Sequence, residues 1–313
     1  MIKTAFVFPG QGSQYVGMGK EITDNFVIAK RVYEEASDYL SLDMANLCFQ
    51  GPDQELIKTE NTQPAILSTS IAILRVLEEI GFDCGITAGL SLGEYSSLVK
   101  SDVIQFHDAV RLVKKRGKYM QEAVPLGIGG MAAIMGLDRE KVEEGLNACQ
   151  EYGVVEVANY NSPGQIVISG EIEAVKTAIN KLSGLGAKKA VLLPVSAPFH
   201  CSLLSLAGDK LKGDLEGIKI NSPKISLVTN VEAKVLENKE EVIPTLVRQV
   251  SSSVLWQDSI EKMINLDVDT FIEIGPGKTL TSFIKRIAKN MDRDVKTYNV
   301  EDLKTLKILE SNR

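Results

Sequence analysis

The residues best suited to chemistry are Gly89, Ser91 and Gly93, which form a G-x-S-x-G pattern. Residues 83–88 are short and apolar enough for a buried strand, and residues 92–100 have the composition of a helix. A serine between a strand and a helix in this pattern is typical of a nucleophile elbow, whose sharp turn needs glycine on both sides. A tight turn that merely contains a serine would fit the same letters, so the pattern needs a partner base to support it.

The chain has only two histidines that could act as that base. His107 lies beside Asp108 in a predicted amphipathic helix, where a solvated surface role is favoured. His200 follows a turn-forming apolar segment, residues 195–199, of the kind that places catalytic groups in loops. A buried histidine bonded only to backbone is the alternative. Ser91 precedes His200 in the chain, as the nucleophile precedes the histidine in the catalytic triad of α/β-hydrolases. No acidic residue between the two stands out as the third member of such a triad.

The glycine-rich segment of residues 9–14 follows the first predicted strand. The spacing of Gly10, Gly12 and Gly17 does not match the G-x-G-x-x-G fingerprint of dinucleotide-binding proteins, and no acidic residue ends a second strand at the expected distance. A loop of this kind beside a nucleophile elbow can donate a backbone N–H to an oxyanion. The residue after the nucleophile, Leu92, would donate the second N–H.

Arg116 differs from the other basic residues of its predicted helix. Successive residues of a helix are about 100° apart around its axis. This spacing places the other basic residues on the polar face of the helix, namely Arg111, Lys114, Lys115 and Lys118. Arg116 falls at the edge of the apolar stripe, which predicts a half-buried guanidinium that needs a planar anion. A structural carboxylate and a substrate carboxylate would both meet that need.

The elements that must position these groups alternate along the chain. A strand over residues 4–8 opens the fold, and a helix is predicted over residues 64–80, with Pro64 in its first turn. A second helix is predicted over residues 105–123, and strands over residues 226–229 and 270–274. Such alternation predicts a mostly parallel sheet covered by helices.

Residues 125–195 show a different order of predicted strands and helices, β-α-β-β-α-β, which is that of a ferredoxin-like unit. We therefore predict that this segment is a subdomain inserted into an α/β body formed by residues 1–124 and 196–313.

Composition narrows the class of protein. The 313 residues carry a net charge of −6, which argues against a broad basic surface for nucleic acid. The four cysteines have neither metal-type spacing nor a disulfide framework, which suits a reducing compartment. No apolar run is long enough for a signal peptide or a membrane span. We expect a cytoplasmic protein with no metal and no nucleic-acid or membrane partner.

Seven ordered segments together resemble the malonyl-CoA:acyl carrier protein transacylase family, and the resemblance covers nearly the whole chain. They are residues 8–14, 89–95, 116–117, 159–165, 195–200, 228–230 and 273–277. The family fold implies an α/β-hydrolase-like body with a ferredoxin-like subdomain, in agreement with the pattern of elements.

The resemblance also implies a role for each candidate residue. Ser91 becomes the nucleophile and His200 the base, and Arg116 pairs with the malonyl carboxylate. The backbone N–H groups of Gln11 and Leu92 form the oxyanion hole. The main-chain carbonyl of Gln249 orients the histidine. A carbonyl in this role takes the place of the acidic residue of a catalytic triad, which the sequence does not show.

Two residues depart from the family pattern. Leu90 replaces a histidine that often precedes the nucleophile, and activity is expected to survive because that position does not act on Ser91. Phe199 stands where several bacterial members carry serine. A bulky ring there would crowd an α-methyl group, so we predict a preference for malonyl over methylmalonyl thioesters.

The implied reaction moves malonyl from malonyl-CoA to the phosphopantetheine thiol of acyl carrier protein through a malonyl-serine intermediate, without cofactor. Candidate contacts for an acidic carrier are Lys189, Lys285, Arg286 and Lys289, although solvated lysines are common. A monomer is expected, because a bulky carrier must reach the cleft. Fatty-acid and polyketide pathways both remain open, as do two other functions, a serine esterase or thioesterase and a non-catalytic carrier-binding scaffold.

Overall fold

The computed structural model describes residues 3–195 and 197–313. Its strands are β1 Thr4–Phe8, β2 Ile86–Gly89, β3 Gly129–Met135, β4 Val155–Ser162, β5 Gln165–Glu171, β6 Lys189–Leu192, β7 Ser226–Val228, β8 Thr270–Ile274 and β9 Lys296–Val300. Its α-helices are α1 Lys20–Asn25, α2 Val27–Leu40, α3 Met44–Gln50, α4 Asp53–Leu56, α5 Thr59–Glu79, α6 Gly93–Lys100, α7 Phe106–Glu122, α8 Arg139–Asn147, α9 Ile172–Gly184, α10 Ser205–Glu216, α11 Val242–Ser251, α12 Trp256–Asn265, α13 Thr279–Asn290 and α14 Leu303–Glu310.

The larger sheet is parallel and has the strand order β7-β2-β1-β8-β9. The central strand β1 is buried on both faces, as parallel strands covered by helices are. Phe6 and Phe8 face the core beneath α5 and α7, and Ala5 and Val7 face the core beneath α12 and α13. This arrangement confirms the predicted mostly parallel sheet.

The parallel pairing also brings two loops together. Phe8 pairs with Gly89, so β1 and β2 end at the same edge of the sheet. The glycine-rich loop after β1 and the serine turn after β2 therefore lie side by side. This is the edge at which parallel α/β sheets usually bind their ligands.

Helix α5 begins at Thr59, five residues earlier than the sequence predicts, so Pro64 lies inside the helix and not in its first turn. The extra turn is held by side chains: Asn61 Nδ2 donates to the Glu55 carbonyl at 3.0 Å, and Thr62 Oγ1 donates to the Leu56 carbonyl at 2.6 Å. These local bonds tie the added turn to the segment before it, and the helix continues through Pro64 although proline has no N–H to donate.

The smaller sheet is antiparallel and has the order β4-β5-β3-β6. Together with α8 and α9 it follows the predicted β-α-β-β-α-β order and closes over an apolar core of its own. Backbone hydrogen bonds of Val254 with Ala158 at 2.8 Å and with Tyr160 at 3.0 Å attach it to the body. The fold class is therefore as predicted, while the boundaries at residues 125 and 195 stay predictions.

Candidate active site

Ser91 occupies the turn between β2 and α6 with a φ of 53°, in the left-handed region. A residue with a side chain costs of order 1–3 kcal/mol there and persists only when its surroundings hold it. The flanking glycines leave no room for a Cβ: one at Gly89 would lie 1.9 Å from the Gly93 carbonyl carbon, and one at Gly93 would lie 2.1 Å from the Phe8 oxygen. The turn thus has the strain and the close packing of a nucleophile elbow.

The hydroxyl of Ser91 faces His200 across the cavity. Ser91 Oγ lies 2.7 Å from His200 Nε2, and His200 Nδ1 lies 2.8 Å from the main-chain carbonyl of Gln249. Because a carbonyl can only accept, Nδ1 carries the proton and Nε2 is free to accept one from the serine. A neutral, correctly oriented histidine is produced without a carboxylate.

Burial sets the protonation of this histidine. The side chain is almost completely buried, and the loss of hydration, with a smaller contribution from the positive charge of Arg116, lowers the pKa of His200 to about 3. The imidazole is therefore neutral, and able to accept a proton, throughout the physiological range.

Arg116, on α7, is 1% exposed, so the expectation of a half-buried side chain is wrong. Its guanidinium donates to Gln63 Oε1 at 2.9 Å, to Gln249 Oε1 at 3.0 Å and to Ser91 Oγ at 3.1 Å. The aromatic ring of Tyr95 lies 5.3 Å away. One of these partners, Gln63, belongs to the turn of α5 that the sequence did not predict.

The second buried charge of the site is the carboxylate of Glu94, on α6. It accepts from Gln249 Nε2 and from the Asn230 backbone N–H, both at 2.9 Å. Burial raises the pKa of Glu94 to about 7, while these hydrogen bonds and the charge of Arg116 oppose the rise. The Gln249 amide thus lies between the carboxylate and the guanidinium, and contacts both.

The backbone donors of the predicted oxyanion hole come from two loops. Gln11 lies in the loop after β1, and Leu92 precedes the first residue of α6. The N–H of Ser91 itself donates to Asn230 Oδ1 at 2.6 Å, so it is not available to an oxyanion. The backbone N–H groups of Gln11 and Leu92 stay predictions as donors to the oxyanion. Their assignment is favoured because the N–H of Ser91 is already engaged with Asn230.

A cavity of about 1270 Å³ joins these groups. Ser91, Arg116 and His200 line it from the body, and Asn159 and Asn161 line it from the ferredoxin-like subdomain. A cleft between two structural units, with a few polar groups converging on an apolar wall, is where small-molecule sites usually form.

Three other residues that the sequence singled out lie in two different places. Phe199 and Leu90 line the cavity, and Phe199 is 9% exposed. His107 lies away from the dyad, with its ring stacked on Tyr39 at a centroid distance of 5.2 Å.

Of the basic candidates, Lys285, Arg286 and Lys289 lie on α13, a helix that also contributes to the cavity wall, and Lys189 begins β6. Arg286 donates to Gln165 Oε1 at 2.8 Å and to Ser162 Oγ at 3.2 Å. It therefore bridges the body and the subdomain.

Sequence reasoning missed three residues of the site, namely Gln63, Glu94 and Asn230. Glu94 and Asn230 lie within segments that carry the family resemblance, so their position was a signal that could have been used. Gln63 gave no such signal, because it precedes the residue at which the helix was expected to begin.

Among the described residues, no group of three or more histidine, cysteine, aspartate or glutamate side chains could hold a metal ion. None of the helices in residues 3–195 and 197–313 has the length and apolarity that crossing a membrane requires.

Comparison with known proteins identifies the family. The model of the acyl transferase domain family matches residues 5–309. Malonyl CoA-acyl carrier protein transacylase of Bacillus subtilis is 44% identical over 98% of this chain and 96% of its own length. The Escherichia coli K12 transacylase is 47% identical over 93% of this chain and 94% of its own length.

Solved structures of malonyl transacylases are also similar to this chain. The malonyl CoA-acyl carrier protein transacylase of Clostridium perfringens is 51% identical, with a TM-score of 0.95 over 99% of this chain and 96% of that one. A malonyl-transacylase in complex with a type II PKS acyl-carrier protein, PlMCAT:AntF, is 43% identical, with a TM-score of 0.96 over 99% and 100%. The chain therefore belongs to the acyl transferase domain family, within the group of malonyl CoA-acyl carrier protein transacylases.

Proposed function

We propose that this protein transfers malonyl from malonyl-CoA to the phosphopantetheine thiol of acyl carrier protein, as a cytoplasmic enzyme of fatty acid biosynthesis. One observation carries the proposal. The hydroxyl of Ser91 lies 2.7 Å from a neutral histidine and 3.1 Å from the Arg116 guanidinium, in one cavity. A nucleophile and a carboxylate receptor placed together suit an acyl group that carries its own carboxylate.

The first half-reaction forms an ester on the serine. His200 Nε2 accepts the proton of Ser91 Oγ as this oxygen attacks the thioester carbonyl. The carbon–sulfur bond then breaks, and the CoA sulfur leaves as a thiol after taking the proton from His200. The N–H groups of Gln11 and Leu92 stabilise the oxyanion, an interaction worth about 2.7–4 kcal/mol per donor in a serine enzyme.

Arg116 selects the acyl group by exchanging partners. Without substrate its guanidinium donates to the nucleophile and to two neutral amide oxygens. A malonyl carboxylate offers two charged oxygens in one plane, which match the geometry of a guanidinium better than these neutral acceptors. The exchange also frees Ser91 Oγ from a donor that weakens it as a nucleophile.

The second half-reaction returns the serine. The carrier thiol gives its proton to His200 and attacks the ester carbonyl, after which Ser91 Oγ leaves and recovers the proton. Three basic residues, Lys285, Arg286 and Lys289, lie on α13, which lines the cavity, and together with Lys189 at the start of β6 they would attract an acidic carrier. The relative solved with an acyl-carrier protein supports this partner. The proposed mechanism uses neither metal nor redox cofactor, and we propose that a monomer suffices for it.

Hydrolysis is the second candidate, because an esterase or thioesterase would use the same serine and histidine. It gives no reason to bury Arg116 against the nucleophile, so transfer of a carboxylated acyl group is favoured. We also propose that the catalytic body comprises residues 1–124 and 196–313, with the inserted subdomain, residues 125–195, forming the other wall of the cleft.

The nucleophile can be tested by intact-mass measurement after incubation with malonyl-CoA. We expect a stable malonyl adduct that is absent in Ser91→Ala and retained in Ser96→Ala, a buried serine of α6 that serves as matched control. Rapid release of malonate without an adduct would indicate a hydrolase, and no change at all would indicate a scaffold.

The carboxylate receptor can be tested with Arg116→Ala. Hydrogen bonds to charged groups are worth about 1.5–3 kcal/mol, so we expect the preference for malonyl-CoA over acetyl-CoA to fall roughly tenfold to a hundredfold. Arg111→Ala, on the exposed face of the same helix, should leave kcat/KM for both thioesters unchanged. Unaltered selectivity in Arg116→Ala would refute the role of this residue.

The protonation of the base can be tested by the pH dependence of acylation. With the pKa of His200 lowered to about 3, the neutral base persists as pH falls, so we expect less than a twofold loss from histidine protonation between pH 8 and pH 5. A base with the ordinary pKa of 6.5 would lose about thirtyfold. A step near pH 7 that disappears in Glu94→Gln would belong to Glu94, whereas a thirtyfold loss retained in that variant would contradict the account.

The role of Phe199 can be tested with methylmalonyl-CoA. We expect wild type to prefer malonyl-CoA, and Phe199→Ser to raise the kcat/KM for methylmalonyl-CoA relative to malonyl-CoA by roughly tenfold, the lower end of what one methyl-sized change is worth. Equal kcat/KM for the two thioesters in wild type would remove the basis of this prediction.

A further inference from the structure

We propose that Asn230 is a positioning residue that holds the nucleophile turn in its reactive geometry. Asn230 follows β7 and is completely buried. Its side-chain Oδ1 accepts from the Ser91 N–H at 2.6 Å, and its Nδ2 donates to the Gly89 carbonyl at 2.7 Å. One carboxamide thus bridges the two sides of the turn in which Ser91 is strained.

The bridge needs a neutral side chain with one acceptor and one donor, which asparagine supplies at every pH. The opposite orientation of the amide would place a donor against an N–H and an acceptor against a carbonyl. An ionised carboxylate of the same shape could accept from Ser91 but could not donate to Gly89. The site therefore distinguishes asparagine from aspartate by chemistry alone.

The bridge is itself fixed by the buried network of the site. The backbone N–H of Asn230 donates to Glu94 Oε2 at 2.9 Å, and its carbonyl accepts from the Leu255 N–H at 2.8 Å. The same Glu94 oxygen accepts from Gln249 Nε2 at 2.9 Å. Asn230 is thus held by the body of the protein and transmits that position to the turn.

Fixing both peptides of Ser91 determines the direction of the oxyanion donor. Asn230 holds the N–H of Ser91, and Gln249 Nε2 donates to the Ser91 carbonyl at 3.1 Å. That carbonyl and the N–H of Leu92 belong to one planar trans peptide and point in opposite directions. When the Ser91 carbonyl is fixed, the Leu92 N–H is aimed, and loosening the turn misdirects it.

The test uses Asn230→Asp, and its kinetic readout rests on the proposed acylation of Ser91. At pH 8 the ionised side chain cannot donate, so we expect acylation by malonyl-CoA to be about a hundredfold slower, with KM within about threefold of wild type. A protonated aspartate has one donor and one acceptor and restores the bridge. We therefore expect the rate to recover at least tenfold relative to wild type at pH 5.

Glu94 contacts Asn230 directly, whereas Arg116 and His200 are each hydrogen-bonded to Gln249, on the other side of Glu94 and Ser91. Together with burial, Glu94 raises the pKa of a new carboxyl at position 230, whereas Arg116 opposes that rise. His200 stays neutral at pH 5, since its pKa is lowered to about 3. Wild type carries the same Glu94, so acid recovery measured relative to wild type reports the new carboxyl and neither Glu94 nor the base.

The matched control is Asn221→Asp. Asn221 Nδ2 donates to the Asp102 carbonyl at 3.1 Å, so this variant loses the same type of hydrogen bond away from the cavity. It should acylate like wild type at both pH values. Asn230→Ala should be slow at both, because alanine has no group that protonation could restore.

Acid recovery in Asn230→Asp alone would support the proposal. Full activity of Asn230→Ala, which can form neither half of the bridge, or equal loss in Asn230→Asp and Asn230→Ala with no recovery in acid, would overturn it. If Asn230→Asp unfolds at pH 8, refolding at pH 5 with at least tenfold faster acylation than Asn230→Ala would still support it, and equal rates would refute it. Failure of wild type to be acylated would count against the proposed function and not against this role.

Discussion

The site depends on a guanidinium that is buried without a carboxylate bonded to it. Transfer of an unpaired charge from water into a protein interior is costly, and Arg116 is almost completely buried. Its described hydrogen bonds go to neutral oxygens of Gln63, Gln249 and Ser91. A direct structural carboxylate would lower that cost but would also occupy the position that a malonyl carboxylate needs.

Gln249 resolves this conflict by separating the two charges with an amide. Its Oε1 accepts from Arg116, and its Nε2 donates to the carboxylate of Glu94. Its main-chain carbonyl also fixes the tautomer of His200, and its Nε2 reaches the carbonyl of Ser91. One residue of α11 therefore links the base through its main chain, and the nucleophile and the carboxylate receptor through its side chain.

Much of this arrangement could be predicted from the sequence, because it follows from local patterns. The turn around Ser91 needs glycine for steric reasons, and the order of strands and helices indicated both sheets. The errors arose where tertiary contacts override a local rule. Pro64 normally marks a first helical turn, yet α5 begins at Thr59, and Gln63 in the added turn accepts a hydrogen bond from Arg116. Asn230 is 139 positions from Ser91, a separation that no periodicity reports.

The most direct test of the account is a chase of the isolated malonyl-enzyme. The enzyme is acylated with labelled malonyl-CoA, freed of CoA, and mixed with an acyl carrier protein that bears its phosphopantetheine thiol. We expect the label to move to the carrier much faster than malonate appears without it. Release of malonate as the main product, at the same rate with and without the carrier, would contradict the assignment of acyl transfer.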